Sequence, residues 1–272
     1  MTDRDPPPPV AAPAERSGAD GGPPAARDGR PGGPRSGPAI AGPFDRAGYR
    51  AWEAAGDRAR VLFVGRGPEA SRQRVVAAVA PASGPGGPSA GTAEAKQVHS
   101  ARVLTASGPG RCGEGDALVT GVPRLATTVV TADCVPLLVE AGERVAAVHA
   151  GWRGVVAGVV GATVDRLLAE GAPPTGRWTA WIGPAIGPCC YEVGEDVAER
   201  VAAASGPEAV VVRPGGRPHV DLAAAVRRQL ASRGAVDVRT LALCTRCEEE
   251  SLWSYRRSGA RAGRNLAAIW RR

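Results

Sequence analysis

The chain has 272 residues, a formal net charge of +7 and 43% hydrophobic residues, enough for one large domain or two small ones. No uninterrupted apolar run reaches the roughly 18 residues of a spanning helix, and no signal-peptide pattern is present, so a soluble, cytoplasmic protein with no membrane partner is expected. Aromatics are only 4% and no nucleic-acid motif accompanies the positive charge, so nucleic acid is not an expected partner either.

Residues 1–47 are rich in Pro, Gly and Ala and almost free of large apolar side chains. Such a stretch cannot bury enough surface to offset the entropy of ordering, so it reads as a disordered tail. A single domain is expected over residues 48–272. Its first strand is "RVLFVG", Arg60 to Gly65, a short apolar run bounded by glycine. "RQRVVAAVA" fits helix or strand. The Pro/Gly/Ser loop from Pro81 to Gly91 contains a formal G-x-S-x-G match around Ser89. It lacks the strand–turn–helix setting of a nucleophile elbow and is set aside.

From Ala95 onward the chain turns β-like, with "AKQVHSARVL", "DALVT", "ATTVVT", "VPLLVE" and "RVAAVHA". Residues 155–169 then carry apolar side chains at helical spacing, interrupted by Gly158 and Gly161. "WTAWIG" reads as a strand. "EDVAERVAAA" and "DLAAAVRRQLASRG" read as helices, the second with Asp221 as N-cap and Gly234 beyond its end. "VRTLAL", "LWSYRR" and "NLAAIW" read as closing strands. Strands outnumber helices, which predicts an α+β or α/β sandwich in one domain.

Two apolar runs flank Glu140-Ala141-Gly142-Glu143, a hairpin signal. A turn centred between Ala141 and Gly142 would set Cys134 directly opposite His149, where one metal ion reaches both side chains. Pro136 points to an edge strand or a bulge. His99, at the end of another β-like run, would complete a His₂Cys set with one open position, the composition of a catalytic zinc site. Three uses of these residues stay open: a metal centre, a Cys–His nucleophile pair, and structural roles. Asp133 adjoins Cys134 and is a candidate to orient a ligand or move a proton, or else a hydrogen-bonded turn residue. Arg153, in "GWRG", is a candidate to grip phosphate bidentately, with a surface arginine packed on Trp152 as the other reading. Arg256, Arg257 and Arg264 belong to a C-terminal segment, Ser251 to Arg272, that holds six arginines and no acid, which suggests anion binding. Cys189 and Cys190 are expected to pack near the site. Cys244 and Cys247 form one C-x-x-C; a zinc knuckle needs a second pair, so structural thiols are expected there. His219 is expected to be structural.

"KQVHS", "DALVT", "TADCVPLLV", "VAAVHAGWRG", "IGPAIGPCCYEVGEDV" and "LWSYRRSGARAGRN" occur in this order. Together they resemble the laccase-domain, or multicopper polyphenol oxidase-like, proteins, now regarded as purine nucleoside phosphorylases. The resemblance covers Ala95 to the C-terminus. It implies an α/β/β/α sandwich of mixed sheets and zinc held by His99, Cys134 and His149, with copper the lesser expectation. It implies phosphorolysis of adenosine, inosine, guanosine and methylthioadenosine together with adenosine deamination, with nucleosides and phosphate as the partners of a monomer. Cys134, His149, His99 and Asp133 are then the catalytic candidates. Arg66, Arg153, Arg256, Arg257 and Arg264 are the substrate-binding candidates. The chain departs from the family in two places. Only "GRGPEAS", with Arg66 and Gly67, remains of an N-terminal family segment, and Ser100 replaces the usual glycine after the motif histidine. Other readings are a cysteine hydrolase built on Cys134, a copper phenol oxidase, or a non-catalytic nucleoside-binding member.

Overall fold

A computed structural model describes residues 40–68, 71–80, 87–174, 178–212, 214–234 and 236–272; the tail reading over residues 1–39 lies outside them. The central strands follow from short apolar runs rich in Val, Ala and Leu. The strands are β1 (Ala41–Arg46), β2 (Tyr49–Ala55), β3 (Ala59–Val64), β4 (Thr92–Lys96), β5 (Val103–Thr105), β6 (Gly110–Glu114), β7 (Ala117–Thr120), β8 (Ala126–Thr131), β9 (Val135–Ala141), β10 (Arg144–Ala150), β11 (Trp178–Ile182), β12 (Val210–Val211), β13 (His219–Val220), β14 (Val236–Thr240) and β15 (Asn265–Arg271). β1 corrects the sequence expectation: ordered strand begins at Ala41, inside the stretch read as tail, because it pairs antiparallel with β2. The helices are α1 (Arg72–Val79), α2 (Trp152–Val156), α3 (Val159–Ala169), α4 (Glu195–Ser205), α5 (Leu222–Ala231) and α6 (Tyr255–Ser258). None of the described helices is long and apolar enough to cross a membrane.

Two mixed sheets form the frame. One runs β1-β2-β3-β15-β8-β4-β6 and the other β14-β11-β9-β10-β7-β5. Alternation along each strand sorts side chains into layers. From β15, Ala267 and Ile269 face the second sheet, where they meet Leu138, Val145, Ala147 and Trp181. Leu266, Ala268 and Trp270 turn the other way, onto Val75, Val76 and Val79 of α1. The second sheet's outer face, with Val139, Ala146 and Val148, is covered by α3, α4 and α5. The order of layers is therefore α/β/β/α.

Three sequence expectations change. The helical run of residues 155–169 is divided because Gly158 adopts φ 85°, a left-handed conformation suited to glycine, so α2 and α3 are separate. "LWSYRR" is no strand: Ser254 Oγ accepts the Arg257 N–H and caps α6. β9 is central, flanked by β10 and β11, yet Pro136 costs the β9–β10 ladder nothing. Its partner His149 sends its own N–H to the Asp116 carbonyl at 2.7 Å, so this pair exchanges no backbone bonds. The Asp221 cap on α5 is as expected, its side chain accepting the Ala224 N–H. Ser89 lies in a turn feeding β4 rather than a helix, which agrees with setting the G-x-S-x-G match aside.

Glu140, on the inter-sheet face of β9, is 4% exposed. One carboxylate oxygen accepts the Arg58 N–H at 2.7 Å, the other meets no donor among the described residues, and burial pushes its pKa up. A carboxyl whose folded pKa exceeds its unfolded value favours folding while protonated and weakens it as pH rises through the folded pKa. Glu140→Gln keeps the acceptor and removes the charge. It should stabilise the protein by about 1 kcal/mol at pH 7, and the gain should vanish below about pH 4, where the wild-type carboxyl is protonated folded and unfolded alike. Urea melts at the two pH values check this; equal stability at pH 7 counts against it.

Candidate metal centre and its cleft

The centre forms where β4 and β10 end and β9 begins. The β9–β10 register pairs Arg144 with Ala141, His149 with Pro136 and Ala150 with Val135. The turn is therefore Gly142-Glu143, one residue later than the sequence suggested, and Cys134 lies diagonal to His149 rather than opposite it. A shift of two in register leaves every side chain on its face, so both still point into the space between the sheets. His99 reaches the same space from the loop after β4, with its backbone at φ 61°, a left-handed conformation that histidine tolerates better than most residues.

The ligand atoms of His99, Cys134 and His149 all lie within 4.8 Å of one another. Cys134 Sγ is 3.8 Å from His99 Nε2, and the two imidazoles meet edge-on with centroids 4.7 Å apart. Two nitrogens and a sulfur converge with one side open to the cleft, a donor set that fits a borderline-soft divalent metal. The fit is reinforced by Asp116, which sequence reasoning left unassigned. Its carboxylate is 1% exposed and takes the His149 Nδ1–H at 2.8 Å, which turns Nε2 toward the metal position. It also accepts backbone N–H bonds from Val98, His99 and Ser100, with 2.9 Å to His99 and 2.6 Å to Ser100, and the Ser100 hydroxyl at 2.8 Å. Ser100, the departure noted above, thus adds a donor that glycine could not supply. The only sequence signal for Asp116 was its place at the head of "DALVT".

Charge follows from this packing. Burial by itself would raise the Asp116 pKa, but the bonds from His149, Ser100 and His99 outweigh it and hold the carboxylate well below its usual range. Burial opposes the His149 cation, yet Asp116 and Cys134 raise its pKa to about 9. Burial likewise opposes the Cys134 thiolate, and the two histidines bring its pKa down to about 7. The sulfur is thereby prepared to act as an anion.

The cleft above the centre has a volume of about 680 Å³ and is lined by His99, Cys134 and His149, the aromatic rings of Trp152, Tyr191 and Tyr255, and six basic side chains. Arg72 and Arg111 pair with Glu94, and Lys96 pairs with Glu114. Arg153, Arg256 and Arg264 have no ion pair among the described residues. Arg153 lies over the Trp152 ring and Arg256 over the Tyr191 ring, with 4.6 and 5.1 Å to the centroids. Two expected substrate arginines are placed elsewhere. Arg66 stacks on Trp253 at 3.9 Å and bonds to the Leu252 carbonyl. Arg257 donates to the carbonyls of Thr245, Arg246 and Leu252. Neither lines the cleft; both hold loops together. Asp133 takes the hydrogen-bonded turn role, one of its two sequence readings. Its φ is 99°, and its oxygens accept the Thr245 hydroxyl and the Arg256 N–H, each at 2.6 Å. It ties the loop after β8 to the C-terminal segment.

Two substitutions test the centre. Asp116→Asn should weaken zinc binding about 10–100-fold, measured by competition with a chromogenic chelator; unchanged affinity would show that Asp116 does not orient His149. Gly151 has φ −76° and ψ 166°, which alanine adopts freely, but a Cβ there would stand 2.8 Å from His99 Cδ2 and 2.9 Å from Cys134 Sγ. Gly151→Ala should leave the thermal melt of the metal-free protein nearly unchanged and abolish tight zinc binding, whereas retained tight binding would contradict the packing described.

Comparison with known proteins agrees with this architecture. A purine nucleoside phosphorylase of Deinococcus radiodurans is 43% identical over 65% of this chain and 69% of its own length. Adenosine deaminase RL5, from an unknown prokaryotic organism, is 40% identical over 58% of this chain and 62% of its own. The crystal structure of Neisseria meningitidis protein NMB0706 superposes with a TM-score of 0.66 at 29% identity, covering 82% of this chain and 99% of that one. Residues 68–272 match the family described as multi-copper polyphenol oxidoreductase laccase, and the chain belongs to that family.

Proposed function

We propose that the protein is a zinc-dependent purine nucleoside phosphorylase acting on adenosine, inosine, guanosine and methylthioadenosine, with adenosine deaminase activity in the same cleft. The observation that carries this reading is the His99–Cys134–His149 donor set opening into a cleft that combines aromatic rings with arginines that have no ion pair among the described residues. The names of the similar proteins, purine nucleoside phosphorylase and adenosine deaminase, support the substrate class. A metal described for this family, copper, also accepts two imidazoles and a thiolate. Multi-copper chemistry, however, needs many histidines, and the chain has three.

In phosphorolysis a phosphate oxygen bonds to ribose C1′ as the bond from C1′ to the purine nitrogen breaks, and the purine leaves with a proton. Bound at His99, Cys134 and His149, zinc supplies a Lewis acid at the cleft floor. Asp116 keeps His149 in one tautomer and orientation. Arg153, Arg256 and Arg264 hold phosphate, since fixed guanidinium groups match its oxygens. Trp152 and Tyr191 offer apolar faces to the purine. Asp133 acts here by positioning Arg256, whose N–H it accepts while its other oxygen accepts the Thr245 hydroxyl.

The test uses untagged protein of known zinc and copper content, with inosine and adenosine turnover followed with and without phosphate. Base release should require phosphate and should disappear in Cys134→Ala along with one bound zinc. Arg153→Ala should raise the KM for phosphate about 10–100-fold, the equivalent of one or two charge-assisted bonds. Metal-independent turnover abolished by alkylation of Cys134 would favour a cysteine hydrolase, and copper in place of zinc with phenol oxidation would restore the oxidase reading.

A further inference from the structure

A second set of metal-binding side chains lies behind the cleft wall. Cys189 and Cys190 follow β11, and Cys244 and Cys247 follow β14. In sequence Cys244-x-x-Cys247 has no matching pair; in space it does. β11 and β14 are parallel neighbours. Their C-terminal extensions stay in step through an Ala185–Cys244 bridge, Thr245 donating its N–H to the Ala185 carbonyl at 3.0 Å. The four sulfurs all lie within 4.8 Å of one another. Cys190 and Cys189 approach Cys247 to 3.5 and 3.8 Å.

We propose that these four cysteines form a structural zinc site separate from the His99–Cys134–His149 centre. Four sulfurs at about 2.3 Å from one tetrahedral ion stand roughly 3.8 Å apart, and the observed contacts match that spacing without rearrangement. An iron–sulfur cluster, with several irons and sulfides between the thiolates, would hold the sulfurs farther apart. All four positions are protein ligands, which is the closed shell of a structural rather than a catalytic site. The Gly187 N–H donates to Cys244 Sγ at 3.3 Å, the kind of outer contact that stabilises a metal-bound thiolate. Each thiol gives up its proton to solvent as the ion binds, and no redox step is involved.

The placement assigns the site a purpose. The loop carrying Cys189 and Cys190 continues into Tyr191, which lines the cleft, and Glu192, whose carbonyl accepts from Arg256. The loop carrying Cys244 and Cys247 contains Thr245, which holds Asp133. A zinc ion there would clamp the two loops that position the cleft's arginine and aromatic wall.

The experiment is a metal inventory of the full chain purified under reducing conditions. Wild type should bind about two zinc ions per chain. Cys134→Ala should lose one and keep the other, while Cys247→Ser and the Cys244→Ser/Cys247→Ser double variant should each lose the other. Cobalt exchanged into Cys134→Ala should show the intense sulfur-to-metal and visible bands of a tetrahedral thiolate site, so the readout stands even where the double variant folds poorly. Wild type with a single zinc that Cys134→Ala removes and Cys247→Ser does not would overturn the proposal. So would iron in place of zinc, or a Cys190–Cys247 disulfide in zinc-reconstituted protein. Failure of the nucleoside assay with both zinc ions present would leave this site standing and refute only the proposed activity.

Discussion

The Asp116 carboxylate is the constraint on which the site depends. A buried charge is tolerated only when its hydrogen-bonding capacity is filled, and here the donors come from two sheets. The loop after β4, from one sheet, supplies the backbone N–H groups of Val98, His99 and Ser100. β10, from the other sheet, supplies the His149 imidazole. Successive N–H groups curling around one anion form a nest, and the left-handed backbone at His99 is part of that curl. One carboxylate therefore fixes the tautomer of His149, the loop that presents His99, and the alignment of the sheets at this end of the sandwich.

The arginines divide by what their guanidinium groups already hold. Arg257 spans the carbonyls of three residues and Arg66 lies over the Trp253 ring, so their charge serves to bind loops. Arg153 and Arg256 rest over aromatic rings and line the cleft, and Arg256 also donates to the Glu192 carbonyl. Stacking a cation on a ring costs it little hydration and holds it in place, which suits a group that must meet a small anion without reorganising. Arginine-rich composition alone could not separate these two uses.

The parallel pair β11 and β14 carries a related consequence. Parallel strands deliver their following loops to the same end of a sheet, and here that end is the cleft. Asp133, Thr245, Arg256 and Glu192 are linked in one chain of hydrogen bonds across three loops. Rigidity in those loops is what preorganises the arginine wall.

Much was legible in the sequence. Short apolar, β-like runs marked β3, β7, β8, β9, β10, β11, β14 and β15, and helical spacing marked α3, α4 and α5. The motif histidines and Cys134 were readable as a ligand set. The errors share a cause. "LWSYRR" has strand-like composition, but Ser254 found a backbone N–H to cap, a local bond that no composition reports. The hairpin turn lay one residue later than its glycine suggested, and the site survived because a shift of two preserves faces. Residue types and periodicity determined which stretches form strands and helices, and which side chains could bind a metal, since these depend on local pattern. The tertiary structure alone decided that Asp116 backs His149, that Arg66 and Arg257 are struts, and that two distant cysteine pairs converge. Those facts depend on which loops the strand order brings together, and strand order is set by long-range pairing that no short stretch of chain contains.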